Sequence, residues 1–141
     1  MGLDFSVVPP YLDIILVGAL WTIALTVGAG LLSFFGGIFF ALIALYTPAV
    51  VRLPFRAFEW LFMGTPLLLQ LFLIYFGLVQ LGVDLPAFVA GLIGLGLHFA
   101  VYNSEIIQAS ILAVDKGQME AARTLGFSRG QALRKVVVPQ A

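Results

Sequence analysis

Four polar side chains stand at helical spacing inside apolar sequence in the second half of the chain. They are His98, Tyr102, Glu105 and Gln108, separated by four, three and three residues. This spacing places all four on one face of an α-helix. The chemistry open to such a face is the binding or relay of a polar group.

Two roles are open to Glu105, because an ionisable group inside a bilayer costs about 2.5–3.5 kcal/mol and must face a partner or water. As a functional group it lines a substrate route, near a cationic or zwitterionic ligand. As a structural group it forms an ion pair or a hydrogen bond between helices. We favour the substrate route for Glu105 and the structural role for His98.

The residue inventory excludes several other classes of chemistry. The sequence has no cysteine and a single histidine, so neither a thiolate site nor a histidine-based metal centre is expected. One histidine and one membrane carboxylate do not make a catalytic set. A G-x-x-x-x-G-K-[ST] phosphate loop is absent from the sequence, so this chain is not an ATPase. Its net charge of +0 gives no broad attraction to nucleic acid. We therefore expect no enzymatic activity and no cofactor bound by this chain.

The elements that must position these residues are transmembrane helices. Hydrophobic residues make up 62% of the sequence and charged residues 10%, whereas about 25% of a soluble domain is charged. Long uncharged stretches predict an all-α integral membrane protein with three spans, at about 12–46, 58–80 and 86–114. In the alternative for the first span, a hairpin turns at Gly36-Gly37, but its second arm has only about 14 residues, which is below the spanning range.

The basic residues predict the orientation in the membrane. All 7 Lys and Arg residues lie either between the first two spans or after the third. With three spans both regions fall on one face, which the positive-inside rule assigns to the cytoplasm, and the N-terminus falls outside. Residues 1–11 lack the basic region of a cleaved signal peptide, so the first span is expected to stay in the mature protein.

Small residues recur every four positions in the first span, which predicts close packing against another helix. They form two rows: a first row of Gly18, Thr22, Thr26 and Gly30, and a second row of Ala29, Ser33, Gly37 and Ala41.

In the second span Pro66 is expected to kink or begin a helix. Two roles are equally open to Gln70, one turn beyond. It bonds a neighbouring helix or the backbone that Pro66 frees, or it faces a polar pathway together with Thr65.

After the third span, residues 115–135 predict two short helices joined at a glycine. Residues suited to helix caps and ends are Asp115 with Gln118, Ser128 with Gln131, and Gly126. Ala121-Ala122 give the first short helix a flat side that another protein surface can approach closely. This pattern predicts a rigid docking element, here called the bracket (115–135), on the cytoplasmic face.

Several motifs resemble those of binding-protein-dependent ABC importer permeases. Glu120-Ala121-Ala122, followed by Gly126 and then by Val138-Pro139, is similar to the EAA loop of that family. Other segments resemble its polar amino acid branch, the histidine, glutamine and glutamate type. They are Gly18–Thr22, Glu59–Gln70, Leu71–Gly77, Tyr102–Ile106 and Lys116–Gln118.

The resemblance implies a mechanism and a set of partners. In that family the EAA stretch is a coupling helix seated in a separate ATPase subunit, whose ATP-driven closure switches the spans between outward and inward access. Other implied partners are a second permease subunit, an extracytoplasmic substrate-binding protein and a polar amino acid substrate, at the bacterial inner membrane. Implied coupling residues are Glu120, Ala121, Ala122 and Gly126, and implied substrate-route residues are Thr65, Gln70, Tyr102 and Glu105.

Two departures from the family pattern matter. Met63 stands where relatives usually have arginine before Gly-Thr-Pro, so any role of that arginine is lost or replaced. Relatives also continue with further spans, so 1–141 is expected to be a partial type I ABC importer transmembrane domain, truncated after the EAA loop.

Two alternatives belong to other functional classes. A small ion-coupled secondary transporter would use Glu105 as its cation or proton site, but it needs no structured bracket. A non-transporting membrane scaffold explains the bracket but leaves Glu105 without a role.

Overall fold

The computed structural model describes residues 9–141, and within them the chain is helical with no β-strand. The helices are α1 (Leu12–Tyr46), α2 (Ala49–Met63), α3 (Leu67–Gln80), α4 (Ala87–Ala113), α5 (Lys116–Thr124) and α6 (Arg129–Ala132). A π-helical turn at Leu73–Gly77 interrupts α3. A second π turn, Leu133–Val137, and a 3₁₀ turn, Val138–Gln140, follow α6. This is an all-α integral membrane fold.

Helix α1 is one uninterrupted helix of 35 residues. At 1.5 Å per residue it is about 53 Å long, so it exceeds a hydrocarbon core of about 30 Å and must tilt or project beyond it. Gly36 and Gly37 lie inside the helix, so the hairpin alternative is wrong. The helix stops at Tyr46 because Thr47 precedes a proline and adopts an extended conformation, with φ −102° and ψ 156°.

Helices α1 and α4 are each long and apolar enough to cross a membrane, and α2 with α3 makes a third span if the pair is counted as one. The axes of α2 and α3 are bent by 108° at their junction. We call residues 64–66 the corner. Pro66 therefore precedes a new helix, as expected: the chain leaves the helical path at the corner, and Leu67 begins α3. The helical part of this span starts earlier than the expected residue 58, because α2 begins at Ala49.

The second row of small residues on α1 packs against α4. All four of its members are buried. At Gly37 the helices are so close that an added Cβ would lie 2.7 Å from the Cβ of Asn103. Asn103 also donates a hydrogen bond of 3.3 Å to the hydroxyl of Ser33. Close backbone approach and one interhelical hydrogen bond therefore join α1 to α4.

The first row of small residues lies on an exposed side of α1. Among residues 9–141, and apart from the neighbouring backbone of α1 itself, no atom lies within 4 Å of the position that a Cβ would take at Gly18 or Gly30. The two threonine hydroxyls instead donate to backbone carbonyls one turn earlier, Thr22 to Gly18 at 2.9 Å and Thr26 to Thr22 at 2.8 Å. Close packing is thus seen for the second row, whereas within residues 9–141 no other helix approaches the two glycines of the first row closely.

Aromatic side chains fill the junction between α1, α2 and α4. Phe40 on α1 stacks on Phe58 of α2 with ring centroids 5.6 Å apart, and Phe58 lies 4.3 Å from Phe62. These rings pack over Ala100 and Val101 of α4, which are buried. The small residues on α4 make room for the large ones on α2, so that face of α2 is held against both long helices.

Candidate functional site: the polar contacts of the spans and the cytoplasmic bracket

The corner is completed by the side chain of Gln70. In a continuous helix the amide hydrogen of residue 66 would bond to the carbonyl of Phe62, but Pro66 has no amide hydrogen. The Nε2 group of Gln70 takes its place and donates to that carbonyl at 2.7 Å. It also donates to the Thr65 carbonyl at 3.1 Å and to the Thr65 hydroxyl at 2.7 Å. Gln70 thus satisfies the acceptors that the break leaves open.

Gln70 also reaches a neighbouring helix. Its Oε1 atom lies 2.9 Å from Nδ1 of His98 on α4, and its side chain is buried. We call Thr65, Gln70 and His98 the corner clamp. These contacts correspond to the structural alternative for Gln70 and to the structural role favoured for His98. A place for Thr65 and Gln70 in a substrate route stays a prediction.

A second buried contact contains a carboxylate to which the sequence analysis gave no role. Glu59 on α2 is 8% exposed, and its Oε1 atom accepts a hydrogen bond of 2.8 Å from the hydroxyl of Ser104 on α4. Gln108 in turn donates to that hydroxyl at 2.9 Å. A periodicity signal existed, because Glu59 shares a helix face with the α2 residues Phe55 and Phe62. A carboxylate on an apolar face indicates burial against a polar partner.

The four polar residues of α4 do not act as one cluster within the described part of the chain. His98 bonds to Gln70, and Gln108 bonds to Ser104. The Tyr102 ring lies 5.0 Å from the His98 ring and is partly exposed. Glu105 is exposed, on the side of α4 away from buried Ser104. Its role in a substrate route therefore stays a prediction, as does that of Tyr102.

The bracket begins with a side-chain cap. The carboxylate of Asp115 accepts a hydrogen bond of 2.6 Å from the amide of Gly117, which starts α5. The expected capping box at this end is wrong, because Gln118 does not bond back to Asp115 and instead lies 3.5 Å from the Gln140 amide. At α6 the expected capping box is present: Ser128 and Gln131 exchange hydrogen bonds of 2.9 and 3.3 Å.

Gly126 ends α5 in the left-handed conformation predicted for it, with φ +88°. The amide of Phe127 bonds to the carbonyl of Ala122, and that of Gly126 bonds to the carbonyl of Arg123, both at 3.1 Å. This pair of bonds is a Schellman motif, and a residue with a Cβ is strained at the glycine position. The ammonium of Lys135 lies 5.8 Å from the ring centroid of Phe127 and closes the bracket by a cation–π contact.

The two alanines of the bracket face different ways. Consecutive residues on an α-helix are about 100° apart. Ala122 is 3% exposed and faces into the bracket, where α5 packs on α6 and the π turn that follows it. Ala121 is exposed, as is Glu120. A flat outer side made of both alanines is therefore wrong: the outer surface carries Glu120 and Ala121, while Ala122 holds the bracket together.

This bracket, carried on a long apolar helix pair, identifies the family. Residues 33–141 match the family described as "Binding-protein-dependent transport system inner membrane component". The chain belongs to this family. It is a family of membrane components of transport systems, and its members lie in the inner membrane, which accords with the apolar multi-pass helices of this chain.

Individual members of the family are similar along the whole chain. The chain is 40% identical over 149 residues to the arginine transport system permease protein ArtQ of Bacillus subtilis, a match that covers 100% of this chain and 65% of that protein. It is 38% identical over 144 residues to the probable amino-acid ABC transporter permease protein PatM of Vibrio harveyi, with the same coverage. This chain therefore spans about two thirds (65%) of the length of these permeases.

A solved structure shows the same fold. It is described as the crystal structure of an amino acid ABC transporter with histidines, and it superposes with a TM-score of 0.87 at 40% identity. The superposition covers 99% of this chain and 65% of that one. The helices of this chain therefore form part of an ABC importer transmembrane domain.

Proposed function

We propose that this chain is a permease subunit of an ATP-driven ABC importer that moves polar amino acids across the bacterial inner membrane. The observation that carries the proposal is the bracket. It is rigid because Asp115 caps its first helix, a Schellman motif ends that helix at Gly126, and a capping box begins the next. It presents Glu120 and Ala121 outward on a short helix.

The bracket suits the transmission of force. A coupling element must move as a body when its partner moves, and a flexible linker would absorb the displacement. Buried Ala122 and the turn at Gly126 keep α5 in a fixed orientation against α6. In this proposal Glu120 and Ala121 contact a separate ATPase subunit, whereas Ala122 and Gly126 act by holding them in place.

The remaining partners follow from the family. We propose a second permease subunit, which is a copy of this chain or a different chain, and an extracytoplasmic protein that delivers the substrate. ATP is bound and hydrolysed by the ATPase subunit. The positive-inside rule supports a cytoplasmic bracket and an N-terminus outside, since all 7 basic residues then fall on one face.

The ion-coupled and scaffold alternatives are less well supported. An ion-coupled transporter that uses Glu105 as its cation site has no need of a structured bracket, which this chain has. A scaffold accounts for the bracket but not for membership of a transport family.

The proposal is tested by co-purification with the ABC ATPase subunit of an amino acid importer from the same organism. Both proteins are expressed together, and the tagged permease is isolated in mild detergent. We expect the ATPase to co-purify with the wild type and to be lost from Glu120→Arg, because the substitution reverses the charge on the exposed face of α5.

A matched control places the same arginine elsewhere in the bracket. Gly130 on α6 is exposed, and no atom lies within 4 Å of a Cβ added there. Gly130→Arg is therefore expected to fold and to retain the ATPase. Retention of the ATPase by Glu120→Arg, or its absence from the wild type, would contradict the proposed coupling contact.

A further inference from the structure

The hydrogen bond between the corner and α4 has a direction that the surrounding groups determine. The amide nitrogen of Gln70 lies among three oxygens, which belong to Phe62 and Thr65. If the amide were flipped, its oxygen would lie about where the nitrogen now is and would face two carbonyl oxygens with no proton between them. The Gln70 oxygen must therefore point to His98, and Nδ1 of His98 must carry the proton.

We propose that His98 is the positioning residue of the corner and that it acts through an Nδ1–H donor to Gln70. His98 fixes Gln70, and Gln70 occupies the acceptors that Pro66 leaves open. The bend between α2 and α3 is thereby tied to α4, and the corner and α4 move as one body. This inference concerns the conformation of the chain and is independent of the proposed contact with an ATPase.

The apolar contacts on either side of the corner cannot fix the orientation of the bend relative to α4. On α2, Phe58 and Phe62 pack over α4 and α1. On α3, the side chain of Leu71 packs on Gly94, where an added Cβ would lie 2.6 Å from Leu71 Cδ2 and would require the leucine to shift. Such contacts are non-directional, so they keep the two arms close to α4 without fixing the backbone between them. A hydrogen bond requires a narrow range of distance and angle. The corner clamp therefore supplies the orientation.

The protonation of His98 can be observed directly, since the sequence contains a single histidine. With ¹⁵N-histidine in the protein in lipid bilayers, nuclear magnetic resonance gives one set of ring signals that needs no assignment among residues. We expect a one-bond N–H coupling at Nδ1 in the wild type. In Gln70→Leu, where the acceptor is gone, we expect the proton to move toward Nε2, the tautomer that prevails in water. An unprotonated Nδ1 in the wild type would overturn the proposal.

The positioning role is tested by distances across the corner. The sequence has no cysteine, so cysteines introduced at exposed Leu53 on α2 and exposed Val79 on α3 carry the only spin labels. Pulsed electron paramagnetic resonance in lipid nanodiscs then gives the distance distribution between the two arms. We expect a narrow distribution in the wild type and a clearly broader one in His98→Leu.

Two conservative variants of His98 show whether the position of the hydrogen-bond donor or only the size of the side chain matters. The amide nitrogen of Asn lies about where Nδ1 of histidine lies, whereas that of Gln lies nearer to Nε2. His98→Asn is therefore expected to restore the narrow distribution, and His98→Gln to leave it broad. The proposal fails if all variants give the wild-type distribution, or if Asn rescues no better than Gln.

Discussion

Glu59 is the final acceptor of two linked hydrogen bonds in the contact between α2 and α4. The hydroxyl of Ser104 accepts a hydrogen bond from Gln108 and donates one to Glu59. Ser104 is fully buried, so without the carboxylate its hydroxyl loses this acceptor and is left with the backbone carbonyls one turn earlier, the acceptors that Thr22 and Thr26 use on α1. An unsatisfied buried donor costs about 1–3 kcal/mol, and hydrogen bonds between membrane helices fall toward the lower end of that range.

We therefore expect Glu59→Leu to lower the free energy of unfolding by about 1 kcal/mol. Glu59→Gln keeps a side-chain oxygen for Ser104 and should lower it less. Equilibrium unfolding in detergent micelles, followed by circular dichroism, measures both. Glu105→Leu is the comparison, because it removes an exposed carboxylate from α4. Since an ionisable group in a membrane span is itself costly, this substitution is expected to leave stability unchanged or to raise it. Equal losses for Glu59→Leu and Glu105→Leu would show that burial of Glu59 has no energetic consequence.

Of these contacts, only those between residues close together in the sequence could be predicted. The link from Gln70 to the backbone near Pro66 follows from their short separation along the chain, and the sequence predicted it as one of two roles. The bonds from Gln70 to His98 and from Ser104 to Glu59 join residues 28 and 45 positions apart. Such pairs depend on how the helices pack, which no spacing rule contains. Helix packing also decides why Glu105, to which the sequence analysis gave a role, is exposed, whereas Glu59, to which it gave none, is buried.

At the level of helices, the limits of α1 were predictable and the path of the second span was not. An uncharged run followed by Pro48 is a local signal, and it places the end of α1 at Tyr46. Pro66 marked the break between α2 and α3, but a proline by itself does not specify a bend of 108°. That angle depends on the contacts of each arm with α1 and α4. Which row of small residues on α1 faces α4 was equally hidden, because both rows have the same spacing.

The two rows can be distinguished by adding one methyl group to each. At Gly37 a Cβ would lie 2.7 Å from the Cβ of Asn103 and 3.2 Å from the carbonyl oxygen of Ala100, so the helices must separate. We expect Gly37→Ala to lower the free energy of unfolding by about 1–3 kcal/mol through overpacking. At Gly30 the space is open, and alanine should raise helix stability by up to about 1 kcal/mol. Thermal unfolding of both variants in micelles compares them directly. A loss at Gly30 as large as that at Gly37 would contradict the packing of the second row alone on α4.

Across the whole molecule, the charge distribution and the helix count constrain each other. All 7 basic residues fall on one face only if α2 and α3 together cross the bilayer. If the bent pair instead entered and left on the same side, Arg52 and Arg56 would lie opposite the bracket. The composition predicts three spans. Because of the bend at the corner, the crossing of the second span, α2 with α3, is tested by measuring on which side of the membrane its two ends lie.

Three single cysteines in this cysteine-free chain decide between these topologies. Exposed sites are available at the start of α2, after α3 and in the bracket: Val50 is 86% exposed, and Leu81 and Leu125 are both 79% exposed. Each is replaced by cysteine and treated with a membrane-impermeant maleimide in right-side-out and inside-out vesicles. We expect Val50→Cys and Leu125→Cys to react only in inside-out vesicles and Leu81→Cys only in right-side-out vesicles, because the positive-inside rule places both basic regions in the cytoplasm. If Val50→Cys instead shares the accessibility of Leu81→Cys, α2 and α3 form a re-entrant element, and the bracket and Arg52 lie on opposite faces of the membrane.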